Sequence, residues 1–408
     1  MLHVLQLKKA MLKVGAKKKH AKYKMTVISE RLPVRNILAL TVLLSASFTA
    51  NAVTYNITQL PPLSSGGGSY AYGINSSGQV VGNSYNSATG LFEAVVWNSG
   101  SVISLGVEGM ARSINDSGTI VGETGSEAAA NSTAVGNGVA FMYSGGVYTS
   151  LGTLGGTYSG AWGINNAGTI VGISNTAANP TLTGFAHAFT YAGGVMTDLG
   201  ANTPDGYSRA HSINDSGEAV GRASVDTFAN SDKFMAFWDG PNSISLTTGP
   251  SNYSSASDIN SDGIIVGNGR TLATGLEQRA MWWDENGIHT LGTFAGGNRS
   301  QLNALNDAGF MVGYARNGTT AANNRAIISY DGVTMLDLNT LVADLSGWAT
   351  LTEAYDINGS GQIVGIGTLS NGQQGAFLLT AVPVPAAVWL FGSGLGLLGW
   401  FRRSKAAV

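Results

Sequence analysis

One nine-residue pattern recurs seven times along this chain of 408 residues and constrains its fold more than any other feature. The pattern is Ile or Leu followed by Asn-x-x-Gly-x-x-Val-Gly, and its asparagines are 40, 50, 49, 46, 46 and 52 residues apart, about 47 on average. These asparagines are Asn75, Asn115, Asn165, Asn214, Asn260, Asn306 and Asn358. Because a period in this range is the signature of a repeat architecture, we interpret the chain as seven copies of one supersecondary unit.

Each repeat divides into four short segments that favour β-structure, as the third copy shows. Ser159–Ile164 leads into the motif, and Asn165 begins an Asx-type turn that ends at a glycine able to adopt a left-handed conformation. The other three strands are the β-branched run Thr169–Val171, the Ala-led segment Ala188–Tyr191 and, after a glycine turn, Val195–Gly200. Four strands within about 47 residues are typical of one blade of a β-propeller.

The number of copies of each strand predicts how the fold closes. The motif and the Ala-led segment each occur seven times, whereas the fourth strand follows its Ala-led partner only six times. The missing copy stands in front of the repeats, as Tyr55–Leu60. We therefore predict an all-β fold, a seven-bladed β-propeller over residues 53–381, in which this N-terminal strand completes the last blade and removes an exposed sheet edge. An open β-solenoid of seven units is the alternative.

The segment before the repeats, residues 1–52, has the features of a secretory signal peptide. Two arginines precede the apolar run Ile37–Phe48, and Ala50 and Ala52 supply the small residues of a cleavage point. The run is too short to cross a bilayer comfortably, which favours a cleaved signal over an anchor. A translation start at Met25 would give a signal of ordinary length. The basic tract upstream of Met25 can also be read as a nucleic-acid-binding arm.

The segment after the repeats, residues 382–408, has the features of a sorting signal. Pro383 and Pro385 form a hinge, an apolar stretch of about sixteen residues follows, and Arg402 and Arg403 end it. Positive charge behind a marginal span would hold the tail transiently in the inner membrane. A simple C-terminal anchor is the alternative.

This tail resembles the PEP-CTERM sorting signal in its VPLPA-type variant, with Val384 at the position between the two prolines. The resemblance implies processing by an exosortase-type sorting enzyme and delivery to the outside of the cell. The body of the chain resembles the HAF family of bacterial extracellular repeats over roughly residues 54–380. The residues that carry this similarity are Leu151–Gly156, Gly163–Gly172 and His187-Ala188-Phe189. That family implies an exported repeat protein and no known activity.

Composition narrows the function classes. Residues 53–381 contain nine Lys and Arg against 23 Asp and Glu, a formal charge of −14. Such a surface disfavours nucleic acid, which is bound by clustered Lys and Arg. The absence of cysteine excludes disulfides, zinc ribbons and thiol catalysis. The expectation is a secreted, cell-surface or biofilm-matrix protein that acts as a structural or binding module and associates with exopolysaccharide.

The alternative function is a glycan-binding or glycan-cleaving propeller. Trp97, Trp238, Trp282 and Trp283 could stack on sugars, but aromatic residues at repeat positions are more often core residues between blades.

Three histidines lie outside the leader, and none predicts a catalytic site. His187, His211 and His289 each occupy a repeat position that other copies fill with unrelated residue types. His211, for example, aligns with Tyr72, Arg112 and Trp162. These positions are expected to be variable surface or strand positions, and the chain is not expected to be an enzyme.

One turn resembles the opening of a calcium loop. Asp258, Asn260 and Asp262 alternate ahead of a glycine, which is the pattern of oxygen ligands that a hard cation needs. Position twelve, where a bidentate Glu belongs, is Gly269, and other copies of this turn contain ordinary turn residues. The pattern leaves two interpretations, a weak calcium site and a metal-free turn, of which the turn is favoured. No other cofactor is expected.

Overall fold

The computed structural model describes residues 53–125, 138–178, 186–201, 206–224, 233–240, 244–247, 253–270 and 277–382. The predicted signal peptide with Ala50 and Ala52, and the sorting tail with its prolines and arginines, lie outside these ranges. None of the described residues belongs to a helix long and apolar enough to cross a membrane.

The described residues form 27 β-strands and two short 3-10 turns, Ala321–Asn323 and Leu338–Thr340. The strands are β1 (Tyr55–Leu60), β2 (Ser69–Ile74), β3 (Val80–Asn86), β4 (Leu91–Asn98), β5 (Ser101–Ile114), β6 (Ile120–Thr124), β7 (Ala140–Ser144), β8 (Val147–Gly152), β9 (Gly155–Ile164), β10 (Ile170–Thr176), β11 (Ala186–Ala192), β12 (Val195–Gly200), β13 (Ser208–Ile213), β14 (Ala219–Ser224), β15 (Lys233–Trp238), β16 (Ile244–Thr247), β17 (Ser254–Ile259), β18 (Ile265–Arg270), β19 (Gln278–Asp284), β20 (Gly287–Gly292), β21 (Ser300–Leu305), β22 (Met311–Arg316), β23 (Asn324–Ser329), β24 (Leu336–Asp337), β25 (Trp348–Ile357), β26 (Ile363–Leu369) and β27 (Gln374–Ala381).

Each sequence repeat forms an antiparallel meander of four strands, as the repeat pattern predicts. β9–β12, β13–β16, β17–β20 and β21–β24 are separate four-stranded sheets. The first two repeats differ because β5 is continuous: its first half pairs with β4 and its second half, from Gly109, pairs with β6. One seven-stranded sheet, β2–β8, therefore contains both repeats. β24 has only two residues, since the chain turns at Asp337 into a 3-10 turn.

The N-terminal strand pairs with the last repeat, which confirms the prediction for Tyr55–Leu60. β1 runs antiparallel to β27 from the pair Tyr55–Ala381 to the pair Leu60–Ala376, and the sheet order is β1-β27-β26-β25. The hydroxyl of Ser69 accepts a hydrogen bond from the backbone N–H of Ala376 at 3.0 Å and lies 3.5 Å from the carbonyl of Leu60. Leu60 thus occupies the position that a fourth-strand residue has in other repeats.

The motif asparagines link each repeat to the next. Within a turn, the Oδ1 atom of Asn75 accepts from the N–H of Gln79 at 2.9 Å, and Gly78 has φ +82°. The Nδ2 atom of each motif asparagine donates to the backbone carbonyl of the motif asparagine in the following repeat, at 3.0–3.4 Å. The seventh of these bonds runs from Asn358 to Asn75, 283 residues away in sequence.

The hydrophobic core lies between the sheets of successive repeats. Val171 and Leu199 of the third repeat, for example, pack with Ala210 and Trp238 of the fourth. Trp97, Trp238 and Trp283 are buried in three such clusters, and Trp282 is partly buried against a fourth. The prediction that these tryptophans belong to the core between repeats is confirmed.

Candidate functional site

The first strand of every repeat has one face in the core and one face on a common cavity. Residues in a strand alternate between its two faces. An alanine, or Leu302 in the sixth repeat, points into the core and is 0% exposed in every copy. The two residues on either side of it therefore point the other way. In the seven copies these are Tyr70 and Tyr72, Met110 and Arg112, Gly160 and Trp162, Arg209 and His211, Ser255 and Ser257, Gln301 and Asn303, and Glu353 and Tyr355.

A β-bulge follows the core residue in all seven copies. In the fourth repeat the ladder pairs Ala210 with Gly221 and then Ser212 with Val220, so that His211 has no partner in the register. In the other first strands the same one-residue shift makes the ladder register skip one residue, which is Tyr72, Arg112, Trp162, Ser257, Asn303 or Tyr355. Because a bulge re-aims the side chain of the extra residue, the fold presents one side chain from each repeat in this way.

The residues that flank the core residue line a cavity of about 1020 Å³. Every repeat contributes to this wall, and Gly160 is the one flanking residue that does not line it. Second strands and the linkers before first strands contribute the rest of the wall. The additional lining residues are Arg222, Tyr253, Asn268, Arg299, Tyr314 and Ile366. Four of the nine basic residues between residues 53 and 381 therefore lie in this wall, although the body as a whole is acidic.

Arginine and aromatic side chains alternate along part of the wall. The guanidinium of Arg209 lies 5.0 Å from the centre of the Trp162 ring, and that of Arg112 lies 5.5 Å from it. The ring of His211 stacks on Trp162 with the two centroids 5.3 Å apart. Arg222 lies over the ring of Tyr207 at 5.6 Å. Cation–π contacts of this kind hold the guanidinium groups in place without neutralising their charge.

Two of these arginines carry positive charge that no carboxylate of the described residues balances. Arg112 forms an ion pair with Glu123, whereas Arg209 and Arg222 form no ion pair with any residue in the described ranges. They are direct partners in the ladder between β13 and β14. Like charges placed directly opposite each other destabilise a sheet. Burial and the neighbouring Arg222 lower the pKa of Arg209 to about 10, so it remains charged at neutral pH.

The polar atoms of these arginines are also incompletely satisfied. The Nε atoms of Arg209, Arg222 and Arg299 are buried and have no hydrogen-bond partner among the described residues. Buried donors without partners are uncommon in folded proteins and cost about 1–3 kcal/mol each. An anionic ligand in the cavity would balance the positive charge of these arginines.

His211 is held in one tautomer. Its Nδ1 atom lies 2.5 Å from the backbone carbonyl oxygen of Ala256 in the next repeat. Because a carbonyl only accepts, Nδ1 carries the hydrogen of the neutral ring and Nε2 has a free lone pair. Burial, and after it the charge of Arg209, lower the pKa of His211 well below its usual value, so the ring is neutral at neutral pH.

The opposite part of the wall is acidic and phenolic. The hydroxyl of Tyr355 donates to Glu353 at 2.9 Å, and its ring packs edge-on against Tyr72 with the centroids 5.2 Å apart. Burial raises the pKa of Glu353, against the effect of its hydrogen bonds from Tyr355 and Asn303. This carboxyl therefore opposes the arginine charge less than an exposed glutamate would.

The other two histidines do not line the cavity. The Nδ1 atom of His187 lies 2.9 Å from a carboxylate oxygen of Asp198, across the pair of β11 and β12. His289 is 3.0 Å from Asp284 and stacks on Trp282. Both are strand positions of the outer half of a repeat, as expected from their variability, whereas His211 is a cavity residue.

The residues of the predicted calcium loop have other partners. The carboxylate of Asp258 accepts from the hydroxyl of Ser212 at 2.5 Å and from the N–H of Leu305 at 3.0 Å. The Oδ1 atom of Asn260 accepts from the backbone of its own turn, and Asp262 is exposed. Among the described residues, no group of three or more His, Asp or Glu could hold a metal ion. Calcium binding stays a prediction, and the metal-free turn accounts for the observed contacts.

Comparisons with known proteins bear on the fold alone. No protein-family model matches the chain, and no curated protein matches it. Solved structures with a similar arrangement include TolB from Acinetobacter baumannii, at 12% identity and a TM-score of 0.39, over 65% of this chain and 62% of that one. An acylaminoacyl peptidase from Pyrococcus horikoshii is 11% identical with a TM-score of 0.35, over 66% of this chain and 52% of that one. This chain thus spans less than two thirds of either. The protein is all-β and is built mainly from four-stranded antiparallel sheets that repeat along the chain.

Sequence reasoning aligned one of the two cavity positions, that of His211 with Tyr72, Arg112 and Trp162, but did not recognise its role. The signal was present: two positions vary between large aromatic, charged and polar types, while their neighbours in the repeat stay small or apolar. In a repeat protein, residues that vary on an otherwise regular scaffold are candidates for the binding surface.

Proposed function

We propose that this chain is an exported, closed, seven-bladed β-propeller that binds an acidic glycan in its central cavity. The ligand class is a polysaccharide or oligosaccharide that contains uronic acid residues. Displayed outside the cell, the protein would attach to exopolysaccharide of the surrounding matrix as a binding module.

Closure of the ring is supported by contacts between the first and the last repeat. β2 contacts β25, β26 and β27, and the N–H of Ile74 donates to the carboxylate of Asp356 at 2.8 Å. The cycle of seven asparagine bonds returns to Asn75, and β1 completes the last sheet. An open solenoid would leave its two ends without such contacts.

The ligand class is supported above all by the pair Arg209 and Arg222. Two adjacent guanidinium groups that have no carboxylate partner in the described part of the chain are suited to a planar carboxylate, which guanidinium binds through two parallel hydrogen bonds. Tyr72, Trp162 and Tyr355 line the same cavity, and aromatic side chains pack against the apolar faces of sugars. A sugar ring that carries a carboxylate is a uronic acid.

Export is supported by the two ends of the sequence. The leader with Ala50 and Ala52 resembles a secretory signal, and the tail with Pro383, Pro385 and two terminal arginines resembles a PEP-CTERM signal. The exosortase-type enzyme implied by that tail is the proposed processing partner, and the inner membrane is its transient location.

Binding measurements on acidic and neutral polysaccharides test the proposal. We expect polygalacturonate or alginate to bind and neutral dextran not to bind. Arg209→Ala should weaken binding about 10- to 100-fold, because a hydrogen bond to a charged group contributes about 1.5–3 kcal/mol. The matched control is Arg325→Ala, which removes an arginine of β23 that does not line the cavity. Equal binding of neutral and acidic polymers, or unchanged binding by the Arg209 variant, would refute the proposed ligand class.

A further inference from the structure

His211 and the arginines of the cavity surround the same aromatic ring. The centre of the Trp162 ring is 5.3 Å from the imidazole of His211, 5.0 Å from the guanidinium of Arg209 and 5.5 Å from that of Arg112. Arg209 and His211 are two residues apart on β13, so a ligand that places a carboxylate on Arg209 has its neighbouring carbon atoms near the imidazole. The anion-binding arginines thus lie close to His211, which could act as a base.

The orientation of His211 is suited to a base. The hydrogen bond of Nδ1 to the carbonyl of Ala256 fixes the ring and leaves the lone pair of Nε2 unused by any hydrogen bond in the described structure. The stacking on Trp162 prevents the ring from tilting away. A base must also be neutral at the working pH, and burial among arginines favours the neutral imidazole.

The arginines supply the second requirement of proton abstraction from carbon. A carbon-bound hydrogen next to a carboxylate is very weakly acidic, because its removal places further negative charge on a group that is already an anion. Guanidinium groups bound to the carboxylate stabilise the developing negative charge by their hydrogen bonds and their positive charge. Arg209 and Arg222 are partners in the ladder, and neither forms an ion pair with a carboxylate of the described residues.

We propose that the cavity cleaves uronate-containing glycans by β-elimination, with His211 as the base. The inference rests on the proposed binding of an acidic glycan. Nε2 of His211 takes the proton from C5 of a uronate residue whose carboxylate lies on Arg209 and Arg222. The electron pair of the C5–H bond forms a C4=C5 double bond, and the C4–O bond breaks. The departing glycosidic oxygen receives the proton from the imidazolium, which restores neutral His211. The elimination consumes no water and needs no oxidant or metal ion.

The test incubates the purified protein with polygalacturonate and with alginate and follows the ultraviolet absorbance of the unsaturated sugar. Mass spectrometry should find products with a combined mass equal to that of the substrate, whereas hydrolysis would add one water per cleavage. His211→Gln should lower the rate about 10²- to 10⁴-fold, the usual contribution of a general base, while binding of the polymer changes little. The matched control is His187→Gln, which removes a histidine outside the cavity and should cleave at the rate of the unchanged protein.

Each outcome separates the two proposals. Binding of either polymer without an unsaturated product would overturn elimination and leave the binding function intact. Products that have gained water, or an unchanged rate for the His211 variant, would overturn the role of His211 as an eliminating base. Failure of both polymers to bind would overturn the binding function and the elimination together.

Discussion

At the residue scale, positions that stay the same in every repeat form the scaffold, and positions that vary face the cavity. The motif asparagine, the core alanine and the glycine of Val-Gly make contacts within the scaffold in each repeat. The two positions beside the alanine face the cavity and are free to vary. Among the residues next to the motif, two aspartates also stand out. Asp258 and Asp356 both precede the motif and are partly buried, and each accepts a hydrogen bond from a backbone N–H of the following repeat.

The carboxyls of Asp258 and Asp356 predict that the free energy of unfolding depends on pH. Burial, with the nearby charge of Asp258, raises the pKa of Asp356 from 3.8 to about 7, and burial raises that of Asp258 to about 6. A group with a raised folded-state pKa favours the folded state most at low pH. Its contribution begins to fall above the unfolded pKa, near 4, and is lost as the pH rises through about 7. Between pH 4 and 8 these groups therefore lower the stability.

Asp356→Asn should reduce this loss. The quantity compared is the free energy of unfolding of the variant minus that of the unchanged protein. This difference should be up to about 4 kcal/mol larger at pH 8 than at pH 4, since each pKa unit corresponds to about 1.4 kcal/mol. Denaturant unfolding at the two pH values measures it. Asp331→Asn is the control: backbone N–H groups lower the pKa of the exposed Asp331 to about 2, and its contribution falls only below pH 4. A constant difference between Asp356→Asn and the unchanged protein at both pH values would contradict the prediction.

At the scale of the element, the repeated bulge explains the glycine that ends each motif. A Cβ atom at Gly221 would lie 2.0 Å from the backbone carbonyl oxygen of Arg209, on the strand with the bulge. At the matching glycine of the first repeat, Gly82, the corresponding distance to the carbonyl of Tyr70 is 1.8 Å. The carbonyls belong to cavity residues, so this glycine permits the strand geometry that orients the cavity wall.

Gly221→Ala should therefore destabilise the protein strongly. Forced overpacking against backbone atoms costs about 1–3 kcal/mol, and more where the backbone cannot move. The melting temperature should fall, and glycan binding should weaken because Arg209 shifts. Gly359→Ala is the matched control, since nothing lies within 4 Å of the added Cβ and other repeats have larger residues at this turn position. Equal melting temperatures for the two variants would mean that the bulge does not require glycine.

At the scale of the whole molecule, β1 connects the beginning of the described chain to its end. Besides its pairing with β27, Tyr55 exchanges backbone hydrogen bonds with the segment after β24: its N–H donates to Leu341, and its carbonyl accepts from Ala343. Its hydroxyl lies 3.0 Å from that of Tyr330. The N-terminal strand is thus held by two neighbouring repeats, and its removal would leave β27 as an unpaired edge.

A disulfide across this pair tests the closed ring. Asn56 and Thr380 are partners in the ladder, both are exposed, and the chain has no cysteine of its own. Facing residues of an antiparallel pair are about 4.5–5.5 Å apart at Cα, within the range of a disulfide. We expect Asn56→Cys with Thr380→Cys to form an intramolecular bond when oxidised and to gain about 2–4 kcal/mol of stability, which reduction removes. The single variant Asn56→Cys is the control. Free thiols or disulfide-linked dimers after oxidation would argue against the ring.

The sequence by itself determined the strands, the turns and the partner of the N-terminal strand. These features follow from local chemistry repeated seven times: an asparagine turn, a β-branched run and an Ala-led strand, together with one strand missing at the end and one extra at the beginning. The continuous β5 and the short β24 departed from this pattern because the links between repeats differ in length and in turn residues.

Only the tertiary structure decided where chemistry can take place. Arg209, His211 and Trp162 are unremarkable in one repeat taken alone, and His211 was expected to be a variable strand position without a catalytic role. Their role depends on the convergence of the first strands of successive repeats on one cavity, where Arg209 lies opposite Arg222 and forms no ion pair with a carboxylate of the described residues. The burial of a side chain and the net charge around it depend on residues distant in sequence. A pattern that repeats about every 47 residues therefore predicts the repeated strands and turns but not the site.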